Sequence, residues 1–267
     1  MSLDAALLLM ASGAFAGLLG GLFGIGGGVV VVPALYAVFG AMGVADTERI
    51  KLAVGTSLAT IIVTSARSLA GHARSGRVDW AVLRVWGPFI AIGSLAGAAL
   101  ARVIAADALT LVFAVGILAI AVQRMIWGRG EARVGATLPP LPVQAALGAG
   151  TGVLSALMGI GGGVIGVLLL TTFGRAVHVA IATAAGFGLV IAVPGAVGFM
   201  LAGQGAEVPP GSVGYVNIAG FAAVAALSAL TAPLGAKLAH KLPGPLLSRA
   251  FAGYLAVTGV LLLREAL

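Results

Sequence analysis

Two glycine-rich stretches hold the residues of this chain best suited to chemistry. The first runs Gly20-Gly21-Leu22-Phe23-Gly24-Ile25-Gly26-Gly27-Gly28-Val29, and it returns 135 residues later as Ser155-Ala156-Leu157-Met158-Gly159-Ile160-Gly161-Gly162-Gly163-Val164. Glycine costs about 1 kcal/mol relative to alanine in a helix interior, so each copy predicts a break inside an apolar run. A helix restarting after the break presents unpaired N–H groups and about half a positive charge, which suits an anion. The bare glycine backbone at Gly24, Gly26, Gly27, Gly28, Gly159, Gly161, Gly162 and Gly163 would let that anion approach closely. The same residues also suit tight turns or close helix packing, and the spacing alone leaves both readings open. No Lys-Ser/Thr follows either copy, so neither is a nucleotide-phosphate loop.

Hydroxyls form the second constellation. Thr56, Ser57, Thr60 and Thr64 recur at helical spacing, with Ser68 continuing the row, and Thr183 is the later counterpart of Thr56. Such a row lines a polar path or donates to an oxyanion; alternatively it bonds its own backbone or a neighbouring helix. The path reading applies best to Thr56, Ser57 and Thr183. Arg67 follows the row and reads as a snorkelling residue at a mouth. His178 reads as a residue of the membrane edge. The carboxylates Asp4, Asp46, Glu48, Asp79, Asp107, Glu131, Glu207 and Glu265 fall in loops or at segment ends, so no buried proton relay is expected. Neither a metal nor a cofactor is called for, because His and acid residues show no ligand spacing. Ser155 lies beside a glycine motif, but no base is placed to activate it as a nucleophile. No Lys or Arg is expected inside the bundle, so charge on an anion would be met by helix ends and neutral donors. Tyr36, Trp80, Trp86 and Trp127 read as interface anchors.

The elements that must position these groups are membrane helices. Of the 267 residues, 60% are hydrophobic and only 9% charged, against about 25% charged in a soluble domain. Ten apolar segments are expected near 5–23, 28–43, 50–71, 80–101 and 107–126, then 143–158, 163–174, 177–203, 213–240 and 246–264. The alternating pattern of a β-barrel is absent. With no cysteine in the chain, disulfides and thiolate chemistry are excluded. The start Met1-Ser2-Leu3-Asp4 lacks the basic region of a signal peptide, so the first segment is expected to be retained.

The duplication extends past the glycines. Val54-Gly55-Thr56-Ser57 aligns with Ile181-Ala182-Thr183-Ala184, Gly97 to Ala101 with Gly235 to Ala239, and Phe113 with Phe251. This divides the chain into a first repeat, 1–127, a cytoplasmic linker, 128–142, rich in Arg and Pro, and a second repeat, 143–267. Residues 5–43 as one helix would run about 58 Å, far beyond a hydrocarbon core of about 30 Å. The chain therefore turns back at each glycine motif. One side then collects Arg67, Arg74, Arg77, Arg84, Arg124, Arg129, Arg133, Arg175, Lys237, Lys241 and Arg249, and the other only Arg49, Lys51, Arg102 and Arg264. A simple kink at each motif would erase that bias. By the positive-inside rule both termini are extracytoplasmic, and the net charge of +7 sets topology rather than marking a nucleic-acid partner. Five segments per repeat invert the second half relative to the first, as in transporters whose site lies at the repeat interface. The expected fold class is thus an all-α polytopic membrane protein of two inverted five-segment repeats, each with a glycine-broken helix pair, re-entrant or spanning.

Gly-x-Gly-Gly-Gly once per half, with the tract Gly55-Thr56-Ser57 downstream, resembles the TauE/SafE sulfite-exporter family over nearly the whole chain. The second half departs from the tract, since Ala182 and Ala184 flank Thr183. The resemblance implies transport of a small sulfur anion, such as sulfite, thiosulfate or an organosulfonate, across a bacterial inner membrane. Any coupled proton can ride on the substrate, because sulfite and hydrogensulfite interconvert near neutral pH. The alternatives are a transporter or channel for another small solute, and a structural subunit of a membrane complex.

Overall fold

The structure is a computed structural model and describes residues 3–23, 28–127, 138–239 and 244–267. Among these are ten helices: α1 (Leu3–Phe23), α2 (Gly28–Ala41), α3 (Asp46–Arg74), α4 (Trp80–Val103), α5 (Ala106–Trp127), α6 (Leu141–Leu157), α7 (Gly163–Thr172), α8 (Val177–Ala202), α9 (Ile218–Ala239) and α10 (Gly244–Ala266). Five are long and apolar enough to cross a membrane, namely α3, α4, α8 and stretches of α5 and α9. At 1.5 Å per residue, α2 spans about 21 Å and α7 about 15 Å, short of a bilayer core. The chain is an all-α, multi-pass membrane protein.

Packing follows the duplication. α1 lies along α9, and its counterpart α6 lies along α4. α2 leans on α3 as α7 leans on α8, while α3 meets α8 and α5 meets α10. Small residues allow the close pairs. A Cβ on Gly13 or Gly17 of α1 would come within 2.9 Å of the α9 backbone at Val224 and Ser228. The counterparts Gly148 and Gly152 on α6 abut α4; at Gly152 a Cβ would stand 2.1 Å from the Ile90 carbonyl oxygen. Hydroxyls reinforce these crossings: Ser228 donates to the Gly13 carbonyl at 3.1 Å and Thr231 to that of Ala14 at 3.0 Å.

Helix ends follow the local sequence. Pro139 and Pro140 precede α6, and Pro142 falls in its first turn, where a missing N–H leaves no bond unmade. α6 closes with Gly159 N–H bonding the Ala156 carbonyl and Ile160 N–H bonding that of Ser155 at 3.0 Å. Gly159 holds φ +60° there, a left-handed position that only glycine takes without strain. The glycine break expected in the second repeat is therefore present, ending α6 and starting α7.

Two expectations need correction. The segment expected at 213–240 does not begin as helix. Ser212–Val213 and Val216–Asn217 pair as a two-stranded antiparallel hairpin, β1 and β2, and helix starts at Ile218. Trp86 is not an interface anchor. It is fully buried, its ring stacks on Phe187 at 5.9 Å, and its Nε1–H donates to Gln144 Oε1 at 2.8 Å. Buried indole needs such a partner, and the amide of α6 provides it.

Candidate functional site

The glycine motifs meet. A Cβ on Gly28, at the start of α2, would stand 2.8 Å from the Gly159 carbonyl oxygen and 2.9 Å from the Ile160 Cα. The second motif is wedged between α3 and α8. Gly159 faces Val32 and Val54, Gly161 faces Ile61 and Ser65, and Gly162 faces Phe187 and Ile191. None of these neighbours is charged. Gly24, Gly26 and Gly27 lie outside the described residues. Ile160 and Gly162 are buried, whereas Gly161 and Gly163 keep partial exposure, so the tip is open on one side.

α7 begins at this tip with Gly162 as its cap and no side-chain cap bond. Gly163 N–H reaches the Gly161 carbonyl at 2.7 Å, and Gly166 N–H that of Gly162 at 2.7 Å. The N–H groups of Val164 and Ile165 find no carbonyl among the described residues. These are the orphan donors that any helix start leaves, and an anion is a suitable partner for them.

The hydroxyl row divides by role. Thr60 bonds the Thr56 carbonyl at 3.0 Å, and Thr64 bonds those of Thr60 and Ile61 at 3.4 and 3.3 Å, so both fold back on α3. Ser68 is exposed. Ser57 reaches the other repeat, donating to the Gly159 carbonyl at 2.8 Å, so its proton holds the tip instead of pointing into open space. Thr56 Oγ1 accepts from the Asn217 N–H at 3.0 Å, and Thr183 Oγ1 accepts from the Asp79 N–H at 2.9 Å. Asn217 Oδ1 in turn accepts from Gly220 N–H at 2.7 Å, and Asp79 Oδ1 from Val82 N–H at 3.1 Å. Asp79 and Asn217 thus cap α4 and α9, one in each repeat, and each is tied to a threonine of the other repeat. Thr56 and Thr183 are equivalent, but their hydroxyls serve two separate helix starts and are not brought to one point.

Three features were missed in the sequence. Lys51 was counted with the loop charges, yet it is only 9% exposed and lies on α3 one turn before Gly55. Its Nζ sits 5.8 Å from the centre of the Tyr215 ring, within range of a cation–π contact. Burial, and then the Glu48 carboxylate, push the Tyr215 hydroxyl above its ordinary range, so it stays protonated. The signal for Lys51 was present, since it falls inside the apolar segment 50–71. The second is the pair of caps, visible in sequence as Val78-Asp79 against Val216-Asn217 in the register that pairs Phe113 with Phe251. The third is that Ser155 is fully buried and its Oγ has no partner among the described residues. By contrast Arg67 and His178 are exposed, as expected. Asp79 Oδ2 also pairs with Arg175 Nε at 3.1 Å, tying the start of α4 to the α7–α8 turn.

A family model described as sulfite exporter TauE/SafE matches residues 9–262. A "probable membrane transporter protein" of Haemophilus influenzae is 32% identical over 256 residues, covering 95% of this chain and 96% of that protein. One of Methanocaldococcus jannaschii, similarly described, is 28% identical over 257 residues, covering 96% and 94%. One of Bacillus subtilis is 32% identical over 112 residues, covering 42% and 38%. No solved structure gives a significant match.

Proposed function

The chain belongs to the sulfite exporter TauE/SafE family of membrane transporters, and on that premise we propose that it carries a small sulfur-containing oxyanion across a bacterial inner membrane as a secondary transporter. Sulfite, thiosulfate and organosulfonates are the candidate substrates. The observation that supports this reading is the meeting of Gly28 with Gly159 and Ile160 beside the uncapped start of α7. Unpaired N–H groups there offer an anion partial positive charge without a bound cation. A divalent cation would need oxygen donors of the opposite kind. Gly24, Gly26, Gly27 and Gly28 are proposed to complete the site from the first repeat, opposite Gly159, Gly161, Gly162 and Gly163. Ser57 fixes the tip through the Gly159 carbonyl. Thr56 and Thr183 each accept a backbone N–H and keep their own proton for a substrate or a water beside it.

Alternating access follows from the architecture proposed here. Residues 1–127 and 143–267 act as inverted repeats joined by a cytoplasmic linker at 128–142, with both termini extracytoplasmic. The exchanged packing of α1 on α9 and α6 on α4 supports the two-fold relation. A coupled proton, if used, travels on the substrate.

Binding tests the reading directly. Purified protein should gain thermal stability with sulfite, thiosulfate or a sulfonate, by about 2.7 kcal/mol at a hundred times Kd. Stabilisation by divalent cations alone, with none from any sulfur oxyanion, would overturn the proposal.

A further inference from the structure

Among the described residues, the buried serine and threonine hydroxyls have partners with one exception. Ser12, Ser57, Thr60, Ser94, Thr110, Thr151, Thr171 and Ser228 donate to carbonyls, and Thr56 and Thr183 accept backbone N–H groups. Ser155 is fully buried, and its Oγ has no hydrogen-bond partner among the described residues. A buried polar group left unpaired costs free energy, and its persistence calls for a reason. The usual remedy for a helical serine is a bond to the carbonyl four residues back. Thr151, one turn earlier on α6, takes that remedy with the Leu147 carbonyl at 2.7 Å, and Ser155 does not.

Its place in the chain supplies the reason. Ser155 lies in the last turn of α6, and its carbonyl accepts the Ile160 N–H at 3.0 Å, so the residue belongs to the break that forms the second glycine tip. Gly161 and Gly163, just beyond, are partly exposed, and α7 starts there without a side-chain cap. The shift of 135 residues sets Gly20 opposite Ser155 in the first repeat. The free hydroxyl is therefore a feature of one repeat only.

We propose that Ser155 is a substrate-binding residue of the glycine-tip site, its Oγ donating a hydrogen bond to an oxygen of the bound oxyanion. The assignment rests on the transporter reading above and adds a residue to it. It makes the site unequal in favour of the second repeat, the opposite of what the Ala182 and Ala184 flanks of Thr183 suggest. It also favours anions that offer an acceptor oxygen towards α6.

The test uses the full-length protein in detergent, as wild type, Ser155→Ala and the near-isosteric Ser155→Cys. Thermal melting without ligand and titration with sulfite, with thiosulfate and with a sulfonate are both measured. Loss of an unsatisfied hydroxyl leaves the melting temperature of Ser155→Ala equal to or above that of wild type. Loss of a bond to a charged partner weakens its binding of the preferred anion by about ten- to a hundredfold. Ser155→Cys, a weak donor of similar size, should bind between the two. A lower melting temperature in Ser155→Ala with unchanged affinity in both variants would make Ser155 structural and overturn this inference alone. If wild type binds none of sulfite, thiosulfate and the sulfonate, the transporter reading fails, and the role of Ser155 with it.

Discussion

At the scale of single residues, the threonines show how one hydroxyl serves both structure and function. The Asn217 N–H is buried against Thr56 Oγ1, so a methyl in place of that oxygen leaves a buried donor unpaired. Thr56→Val should therefore lower stability by about 1–3 kcal/mol, measurable as a lower melting temperature without ligand. Ser155→Ala should not. An unchanged melting temperature in Thr56→Val would show that the Asn217 tether carries no stability. Charge divides the same way by position. Lys51 is nine-tenths buried beneath Tyr215, whereas Arg67 is exposed. Poorly screened charge attracts an anion more strongly than exposed charge does. Lys51→Gln should slow the entry of anion into proteoliposomes and flatten its salt dependence, with Lys51→Arg restoring both, and Arg67→Gln should do less. A larger effect of Arg67→Gln would place recruitment at the other mouth. Residue types and spacing made the glycines and hydroxyls legible as candidates. The partners of each hydroxyl were not, because Ser57 and Gly159 lie 102 residues apart and nothing local specifies their bond.

Elements decide which glycines tolerate a side chain. At Gly152 a Cβ would meet the Ile90 carbonyl oxygen at 2.1 Å and the Ser94 nitrogen at 2.7 Å, so α4 and α6 would have to separate. At Gly161 the nearest atoms are side-chain or more distant, Ile61 Cγ2 at 3.2 Å and Gly188 Cα at 3.7 Å. Gly152→Val should destabilise by at least the roughly 1–3 kcal/mol of ordinary overpacking. Gly161→Val should fold and insert nearly as wild type yet lose transport, because its branched side chain enters the space between the tip and Ile61, Ser65 and Gly188. Normal transport by Gly161→Val at equal abundance would return the motif to a packing role. The breaks themselves were legible, since four glycines in five residues oppose helix. The hairpin before α9 was not. Val213, Tyr215 and Val216 are as apolar as any helical segment, so hydropathy carried the helix back across them. The turn chemistry was marked by Pro209, Pro210 and the glycines Gly205, Gly211 and Gly214, all three at positive φ.

For the whole molecule, the two connectors between long helices are built alike. Residues 75–79 end in a cap held by Thr183, and residues 203–217 end in a cap held by Thr56. Both plunge into the bundle at a valine, Val78 and Val216, before their cap residue. In the proposed inverted pair of repeats these connectors would sit on opposite faces of the membrane. The charges agree with that placement. α3 carries Arg49 and Lys51 near its start and Arg67 and Arg74 towards its end, Arg77 lies in the connector, and α4 carries Arg84 near its start and Arg102 in its last turn. We propose that the ends joined by the 75–79 connector, which hold Arg67, Arg74, Arg77 and Arg84, face the cytoplasm under the positive-inside rule. The chain contains no cysteine, so single cysteines report cleanly. Ser75→Cys, next to the exposed end of α3, should react with a membrane-impermeant thiol reagent only in inside-out vesicles. Ala206→Cys, in the connector before β1, should react only in right-side-out vesicles or whole cells. Labelling of both positions from the same side would exclude the inverted repeat, and with it two gates that open in turn on one central site.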